Sequence, residues 1–382
     1  MAELRITDLA RRFGGGKPAL DGISFDVAER EFVFLLGPSG AGKTTTLRLT
    51  AGLDHPDAGR ILLGGRDMAG IAPRERNVAM VYDKHSLYPH LNVFENMAYP
   101  LRLRGLSEAE MKARIARTSE ILGIGQFLDR RPNQLSGGQQ QRVAIGRALV
   151  RDASIYLMDE PISHLDAKLR AHMRVEFKKL QREFAATILY VSHDQLEAMT
   201  MGDRIVVLDQ GRVQQIGTPR DIYDRPANRF VAEFVGEPSM NTLTCDLLQE
   251  GTGWKAVSQD FAVHLDAAWV QRHGLQNRRP GKVVLGLRPQ HLTLAPAEEA
   301  GRPNVEGGRV YAVETLGSET VYDIEIGGTV LRLWSRRQPD GRPLPPIGAT
   351  IHFRVNPQAL HLFDAETGLA LAHPDPGLVP AE

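Results

Sequence analysis

Short apolar runs alternate with helical patterns over residues 1–235 of the chain. Each run is apolar on both faces and is bounded by polar residues, which is typical of buried strands in a mostly parallel sheet. The five runs occupy residues 32–36, 78–82, 155–158, 187–191 and 205–208. After the third run, apolar residues recur at helical spacing and predict an amphipathic helix packed on the core. This stripe consists of Leu165, Leu169, Met173, Phe177, Leu180 and Phe184.

The stretch from 92 to 150 has a helical pattern throughout. Ser107 and Glu110 have the spacing of a capping box, in which each side chain bonds the other residue's backbone N–H. Met111, Ile115 and Leu122 follow on one face. We therefore predict that residues 92–150 form a helical subdomain inserted in the α/β domain.

The pattern of apolar runs changes after residue 235. The runs become short, β-branched and partly alternating, and turn residues such as Gly327-Gly328 separate them. They occupy residues 283–287, 310–313, 320–326, 329–334 and 350–355. Residues 236–382 are therefore predicted to form a second, all-β domain of barrel-like architecture.

Composition and net charge exclude several classes of protein. The chain has 46 Lys and Arg against 46 Asp and Glu, so its formal net charge is zero, which argues against a protein that wraps nucleic acid. Its one cysteine, Cys245, excludes an internal disulfide framework and a multi-cysteine zinc site, and indicates a reducing compartment. We expect neither a secretory signal peptide nor a membrane span, so any membrane crossing would belong to another chain.

A phosphate-binding loop follows the first buried run. Residues 37–44 read Gly-Pro-Ser-Gly-Ala-Gly-Lys-Thr and lie between a predicted strand and a predicted helix over 45–51. Glycines let successive backbone N–H groups face phosphate oxygens, and the helix N-terminus adds a positive dipole end. Lys43 can reach the β- and γ-phosphates, and the Thr44 hydroxyl can ligate Mg²⁺. The alternative is a glycine-rich turn that arose by chance.

Two carboxylates end the run at 155–158. Asp159 at a strand end can bind Mg²⁺, and Glu160 can act as general base for an attacking water. A solvated acidic turn is the alternative, and the phosphate-binding loop upstream argues against it.

Two further segments point to the same edge of the sheet. Residues 135–139, Leu-Ser-Gly-Gly-Gln, precede an apolar helix; Ser136 and Gln139 fit a capping box, while two glycines favour close backbone approach to an anion. His193 follows the run at 187–191, where a parallel sheet places its ligand site. A structural histidine is the alternative there.

Together these residues resemble the ATP-binding subunits of ABC transporters. The matching segments are Walker A (37–44), the LSGGQ signature (135–139), Walker B (155–160), the D-loop (163–166) and the switch His193. Segments 80–82, 87–90, 93–98, 139–144 and 165–170 resemble the maltose- and glycerol-phosphate-type importer branch. Segments 286–292 and 316–320 resemble its carboxy-terminal OB-like, or TOBE, domain. The implied fold is an α/β P-loop NTPase domain of the ABC ATPase type with a helical subdomain, followed by an all-β OB-like (TOBE) domain.

The resemblance implies a site for ATP and Mg²⁺ in a sandwich dimer, each ATP lying between one subunit's Walker A loop and its partner's signature. Glu160 and His193 are the implied catalytic residues, and Thr44, Asp83 and Asp159 the implied metal ligands. Phe13 matches the aromatic position that stacks on adenine, with a core phenylalanine as the alternative. The implied nucleotide-binding residues are Phe13, Gly37, Pro38, Ser39, Gly40, Ala41, Gly42, Lys43, Thr44, Thr45, Ser136, Gly137, Gly138, Gln139 and Asp166.

Two residues depart from the family pattern. Asp83 stands where the family has Gln, and His164 stands where the branch usually has Asn in the D-loop. Asp can still ligate Mg²⁺, because that cation favours carboxylate oxygen. The departures allow two hypotheses: a heterodimer with a paralogous ATPase chain, or a homodimer in which both positions have drifted neutrally.

The partners implied by the resemblance are a second ATPase subunit, two transmembrane permease subunits and, indirectly, a substrate-binding protein, with no nucleic acid. The implied location is peripheral, at the cytoplasmic face of a bacterial inner membrane, with residues 87–103 in the permease contact. The substrate would be a sugar, a polyol or glycerol phosphate.

Two other classes are alternatives. A soluble ABC-type ATPase in translation or repair usually has paired ATPase units or long coiled coils, neither of which the sequence shows, although an OB-like domain can bind nucleic acid. A P-loop kinase would lack both the signature and the switch histidine.

Overall fold

The computed structural model describes residues 2–83, 86–259, 261–336 and 345–374. Packing divides the chain into two compact units, Met1–Pro219 and Arg220–Glu382. Within the described ranges, no helix combines the length and the apolar character needed to cross a bilayer.

The first unit is an α/β domain. Its elements in chain order are β1 (Leu4–Arg12), β2 (Pro18–Val27), β3 (Phe32–Leu36), α1 (Lys43–Ala51), β4 (Ala58–Leu63), β5 (Arg66–Asp67), β6 (Val78–Val81), α2 (Val93–Arg102), α3 (Glu108–Ile121), α4 (Gly137–Leu149), β7 (Ile155–Asp159), α5 (Ala167–Glu183), β8 (Ile188–Ser192), α6 (Gln195–Met201), β9 (Arg204–Asp209) and β10 (Arg212–Gly217).

The five runs predicted as strands and a sixth strand, β10, form one sheet with the order β10-β9-β3-β8-β7-β6. All neighbours among β9, β3, β8, β7 and β6 are parallel, and only β10 is antiparallel, paired with β9. Every residue of β3, β7 and β8 is buried, because helices and a second sheet cover both faces. The carboxyl ends of these three adjacent strands share one edge of the sheet, and the predicted site residues follow them.

A second sheet in this unit was not predicted from the pattern. Its order is β2-β1-β4-β5, and its neighbouring strands are antiparallel. Leu4 and Ile6 are buried at alternate positions of β1. The β1–β2 register then shifts between Ile6 and Leu9, where Asp8 has φ 47°. This bulge interrupts the period of two that marks a half-buried strand in a sequence. The core of the unit lies between this sheet, α1 and the central sheet.

Helices α2, α3 and α4 lie within residues 92–150, the range predicted as a helical subdomain, and α2 and α3 each begin at a capping box. Asn92 caps α2 together with Glu95, and Ser107 caps α3 together with Glu110 as expected. Helix α5 follows β7, and Met173, Phe177 and Leu180 of its predicted stripe are buried.

The second unit is mainly antiparallel sheet. Its elements are α7 (Pro219–Asp224), α8 (Arg229–Phe234), β11 (Asn241–Glu250), β12 (Gly253–Ser258), β13 (Phe261–Leu265), α9 (Ala267–Arg272), β14 (Gly281–Leu287), β15 (Leu292–Ala295), β16 (Val305–Thr315), β17 (Glu319–Ile326), β18 (Thr329–Arg336), β19 (Thr350–Val355), β20 (Leu360–Asp364) and β21 (Ala370–Ala372). The sheet orders are β13-β12-β11-β14-β20-β21 and β15-β19-β16-β17-β18, and residues of both share one hydrophobic core.

Composition and packing divide the chain at different places. The pattern of apolar residues changes near residue 236. The boundary between the two compact units falls earlier in the chain, between Pro219 and Arg220, before α8. Arg288 explains this difference, because its buried guanidinium donates to the backbone oxygens of Tyr223, Ala232 and Val235 and so holds both short helices on the β unit. The boundary at 235/236 stays a prediction.

Candidate functional site

The loop between β3 and α1 is built around glycines that no other residue could replace. A Cβ on Gly37 would lie 2.2 Å from the Leu208 carbonyl oxygen, and one on Gly42 would lie 2.6 Å from that of Ala19. Gly42 caps α1 with φ 105°, and Gly40 has φ 81°, both in the left-handed region. Helix α1 begins at Lys43, two residues earlier than predicted, so Lys43 and Thr44 are the first helical residues.

Lys43 extends back over this loop. Its Nζ donates to the carbonyl oxygens of Gly37 and Pro38 at 2.8 and 2.9 Å. Burial lowers the pKa of Lys43, while the charges of Glu160 and Asp159 raise it. A cation in a site removed from water, beside a helix N-terminus, is suited to phosphate oxygens.

Thr44 and Asp159 meet across the sheet edge. The Thr44 hydroxyl donates to Asp159 Oδ1 at 3.2 Å. Burial raises the pKa of Asp159 to about 6; the bond from Thr44 and the charge of Lys43 lower it, whereas the charges of Glu160 and Asp83 raise it further. Asp83 itself is exposed. A carboxylate that is costly to ionise where it lies favours a nearby cation.

Glu160 and His193 face each other at the ends of β7 and β8. Glu160 has φ 45°, an unusual conformation for a residue with a side chain, and its backbone N–H donates to the Val191 oxygen. Its carboxylate Oε2 lies 2.9 Å from Nδ1 of His193. The structure therefore brings together the carboxylate predicted as general base and the predicted switch histidine.

The signature segment is the start of α4 itself. Ser136 caps the helix by accepting from the Gln139 N–H at 3.3 Å, and the Gln139 side chain accepts from the Ser136 N–H at 2.9 Å. The capping box is thus present, and the helix begins at Gly137, before the predicted apolar stretch. A Cβ on Gly138 would lie 2.9 Å from a methyl group of Leu169, so close packing favours a glycine here in addition to any ligand contact.

Asp166 caps α5, accepting from the Leu169 N–H at 2.9 Å. Since Leu165 and Leu169 pack against Gly138, the D-loop and the signature of one chain are neighbours. His164, within the D-loop, is exposed.

Phe13 is not a core residue. Its side chain is 51% exposed, and the guanidinium of Arg11 lies 4.7 Å from the centre of its ring. The alternative of an ordinary core phenylalanine is therefore wrong.

Sequence reasoning missed one residue near this edge. Glu197 on α6 is 2% exposed and bonds Tyr190 and Ser192, the latter directly before His193. The sequence feature that could have pointed to Glu197 is a charged residue four positions after the switch histidine, on the face of a helix that packs inward.

A phosphate-binding loop beside a strand-end carboxylate pair defines a P-loop nucleoside triphosphatase, and the comparisons with known proteins agree. The model for "ABC transporter" matches residues 20–163, that for the "MalK OB fold domain" matches 236–292, and that for the "TOBE domain" matches 285–363.

Three relatives cover almost the whole chain. The sn-glycerol-3-phosphate import ATP-binding protein UgpC of Cereibacter sphaeroides is 46% identical over 97% of this chain and 100% of its own length. The trehalose/maltose import ATP-binding protein MalK of Thermococcus litoralis is 41% identical, with shares of 97% and 100%. The diacetylchitobiose uptake system ATP-binding protein MsiK of Streptomyces coelicolor is 40% identical, with shares of 93% and 95%.

A solved structure agrees for the first unit. The ATP-binding cassette MJ0796, described as a dimeric post-hydrolysis state bound to ADP and Pi, has a TM-score of 0.53 and 32% identity, and the match covers 57% of this chain and 99% of that one. The chain therefore belongs to the ATP-binding subunits of ABC importers. Members of this family bind and hydrolyse ATP, and the alternative classes are not favoured.

Proposed function

We propose that Glu160 and His193 perform the hydrolytic step of this ATPase. The observation that supports the proposal is their 2.9 Å contact at the ends of adjacent parallel strands, beside the phosphate-binding loop. Glu160 takes the proton of the water that attacks the γ-phosphorus. His193 holds that carboxylate and the γ-phosphate in position relative to each other. Lys43 and the backbone N–H groups of residues 37–45 hold the phosphates.

Magnesium fits the residues at the sheet edge. Thr44 and Asp159 present hard oxygen atoms that already contact each other, and burial makes the Asp159 carboxylate costly to ionise without a cation. Among the residues that the structure describes, no three His, Cys, Asp or Glu side chains form a metal-binding group. That suits Mg²⁺, which commonly uses one or two protein ligands together with substrate phosphates and water. When bound, the ion would neutralise phosphate charge, with Asp83 as a further ligand.

We propose that the active form is a dimer. The MJ0796 cassette, which resembles the first unit, is dimeric in a post-hydrolysis state. In such a dimer the first turn of α4 would present Ser136, Gly137, Gly138 and Gln139 to the partner's nucleotide, with Asp166 beside them. The exposed ring of Phe13 would stack on adenine.

The permease contact is proposed for residues 87–103. Tyr88 and Tyr99 are both partly exposed with their ring centres 4.9 Å apart, and Leu103 is 74% exposed. Buried Asn96 braces this surface, donating to the backbone oxygens of Tyr88, Leu91 and Asn92. An exposed apolar patch of this kind is typical of a docking surface, and two transmembrane permease subunits would bring the protein to the cytoplasmic face of the membrane.

The transported solute is proposed to be a sugar, a polyol or glycerol phosphate. The relatives described above are named for import of sn-glycerol-3-phosphate, trehalose or maltose, and diacetylchitobiose. Specificity would lie in the permease and in a substrate-binding protein, because the ATP site recognises only nucleotide.

Purification of the complex from its native host tests these partners. The copurifying chains are identified and counted by mass spectrometry, and the ATPase rate of the reconstituted complex is measured with glycerol 3-phosphate, disaccharides and polyols. We expect two permease chains and stimulation by one solute class. Two distinct ATPase chains would support the heterodimer, whereas a complex without permease would contradict the importer assignment.

A further inference from the structure

His193 lies at the tip of a short turn that leaves its side chain little support. The side chain is 57% exposed, and its imidazole contacts the Glu160 carboxylate. With so much of the ring facing solvent, packing cannot hold its orientation. The orientation must then depend on the backbone of Ser192, His193 and Asp194, between β8 and α6.

The side chain of Ser192 closes the turn from Ser192 to Asp194. The Asp194 N–H donates to the Ser192 hydroxyl oxygen at 2.9 Å, and the same hydroxyl donates to Glu197 Oε2 at 2.9 Å. Asp194 in turn caps α6, accepting from the N–H groups of Leu196 and Glu197 at 2.8 and 3.2 Å. The backbone on both sides of His193 is thereby tied to the first turn of α6.

Glu197 anchors this arrangement from the core. It is 2% exposed, and its Oε2 also accepts from the Tyr190 hydroxyl at 3.1 Å. Tyr190 is fully buried on β8, with the rings of Phe34 and Phe177 around it. A buried carboxyl is costly compared with an apolar side chain of similar size, so stability alone does not account for it.

We propose that Glu197 is a positioning residue for ATP hydrolysis, which holds the Ser192–Asp194 turn so that His193 meets Glu160 and the γ-phosphate. This proposal rests on the proposed role of His193. Burial raises the pKa of Glu197, and the hydrogen bonds from Ser192 and Tyr190 lower it. In either protonation state the carboxyl can keep the Ser192 hydroxyl in place.

Steady-state ATPase assays of the full-length protein test the proposal. Glu197→Ala should lower kcat roughly ten- to a hundredfold, since a small misplacement of a catalytic group has effects of that size. The KM for ATP should stay within about twofold, because the phosphate-binding loop is untouched. Glu197→Gln retains an acceptor for both hydroxyls and should keep kcat within about threefold of the unchanged protein. Ser192→Ala removes the same link from the other side and should resemble Glu197→Ala.

Two controls separate positioning from stability and from the proposed chemistry. Gln181→Ala removes partly buried hydrogen bonds elsewhere in this unit, from Gln181 to the Arg30 oxygen and to Asp203, and should leave kcat within about twofold. His193→Ala combined with Glu197→Ala should be no slower than His193→Ala alone, because Glu197 acts through the imidazole.

The outcomes are distinguishable. If His193→Ala is inactive while Glu197→Ala and Ser192→Ala turn over normally, the positioning role is wrong and the proposed function stands. Equal losses in Glu197→Ala, Glu197→Gln and Gln181→Ala would show that only stability is affected. Normal turnover by His193→Ala would overturn the proposed role of His193 and the positioning role with it.

Discussion

At the scale of single residues, Lys43 shows how burial prepares a cation for its ligand. Its ammonium group is held by two backbone oxygens of the loop and carries a pKa lowered by burial. Phosphate oxygens would replace those carbonyls and restore a full ionic partner.

Lys43→Ala should therefore weaken nucleotide binding at least tenfold, because it removes the charge that faces the phosphates. Titration with a fluorescent ATP analogue measures the change in Kd. Lys112→Ala, an exposed lysine of α3 paired with Glu108, is the matched control and should bind normally. Equal Kd values for both variants would contradict the role of Lys43.

Most site residues could be predicted from the sequence because each belongs to a short contiguous motif. Lys43, Glu160 and His193 each follow a run that reads as a buried strand, and parallel strands bring such positions to one edge. The local sequence pattern does not give the exposure of a side chain, so only the structure excludes Phe13 as a core residue. Its stacking on adenine stays a prediction. Glu197 was missed because its partners, Tyr190 and Ser192, are set by how α6 packs on β8.

At the scale of elements, α2 and the loop before it present the proposed permease surface. Leu103→Glu should uncouple solute transport from ATP hydrolysis while leaving the ATPase activity of the isolated protein within about twofold, because Leu103 is too exposed to contribute much packing.

The measurement for Leu103→Glu compares transport in vesicles with ATPase activity in solution. Val175→Glu, the same change on an exposed residue of α5, is the control and should leave both activities unchanged. Transport at the normal rate in Leu103→Glu would place the permease contact elsewhere.

In the second unit, Arg288 holds the short helices α7 and α8 in place. It is 1% exposed, lies over the ring of Tyr223 and donates to the ends of α7 and α8. Arg288→Met should lower the free energy of unfolding by about 2–4 kcal/mol, since several backbone oxygens lose their donor. Urea unfolding measures this, with Arg302→Met, on an exposed loop, as a control expected to change little. An unchanged midpoint would show that the two helices are held by other contacts.

At the scale of the whole molecule, the order of elements was easier to predict than their sheets. Fully buried parallel strands such as β3 and β7 appear as continuous apolar runs. The strands β11 to β13 have alternating or mixed faces, and their pairing depends on long-range register, so the pattern did not predict them. The compact unit likewise begins before the change in composition because α7 and α8 pack by contacts to a distant arginine.

The second unit should lose stability in mild acid. His361 and His373 lie with their Nδ1 atoms 3.3 Å apart, and burial lowers both pKa values, that of His373 to about 4. In the unfolded chain histidine titrates near pH 6.5. Stability from the neutral rings is therefore complete above about pH 6.5 and is lost as the pH falls towards 4, because only the unfolded state takes up protons in that range.

Tryptophan fluorescence follows this unit alone, since all three tryptophans, Trp254, Trp269 and Trp334, lie in it. The urea midpoint should fall between pH 7.5 and pH 5, and His373→Gln should reduce that fall. A midpoint independent of pH over this range would contradict the prediction.

The central claim, that Glu160 is the general base of ATP hydrolysis in this chain, is tested most directly by Glu160→Gln. Glutamine keeps the shape of the side chain and loses the base, so this variant should bind ATP and fail to hydrolyse it. Gel filtration with MgATP, together with a phosphate-release assay, is the measurement. We expect the unchanged protein to release phosphate and Glu160→Gln to elute as an ATP-bound dimer with at least a hundredfold slower release. Phosphate release by Glu160→Gln at the rate of the unchanged protein, with no dimer, would contradict the account.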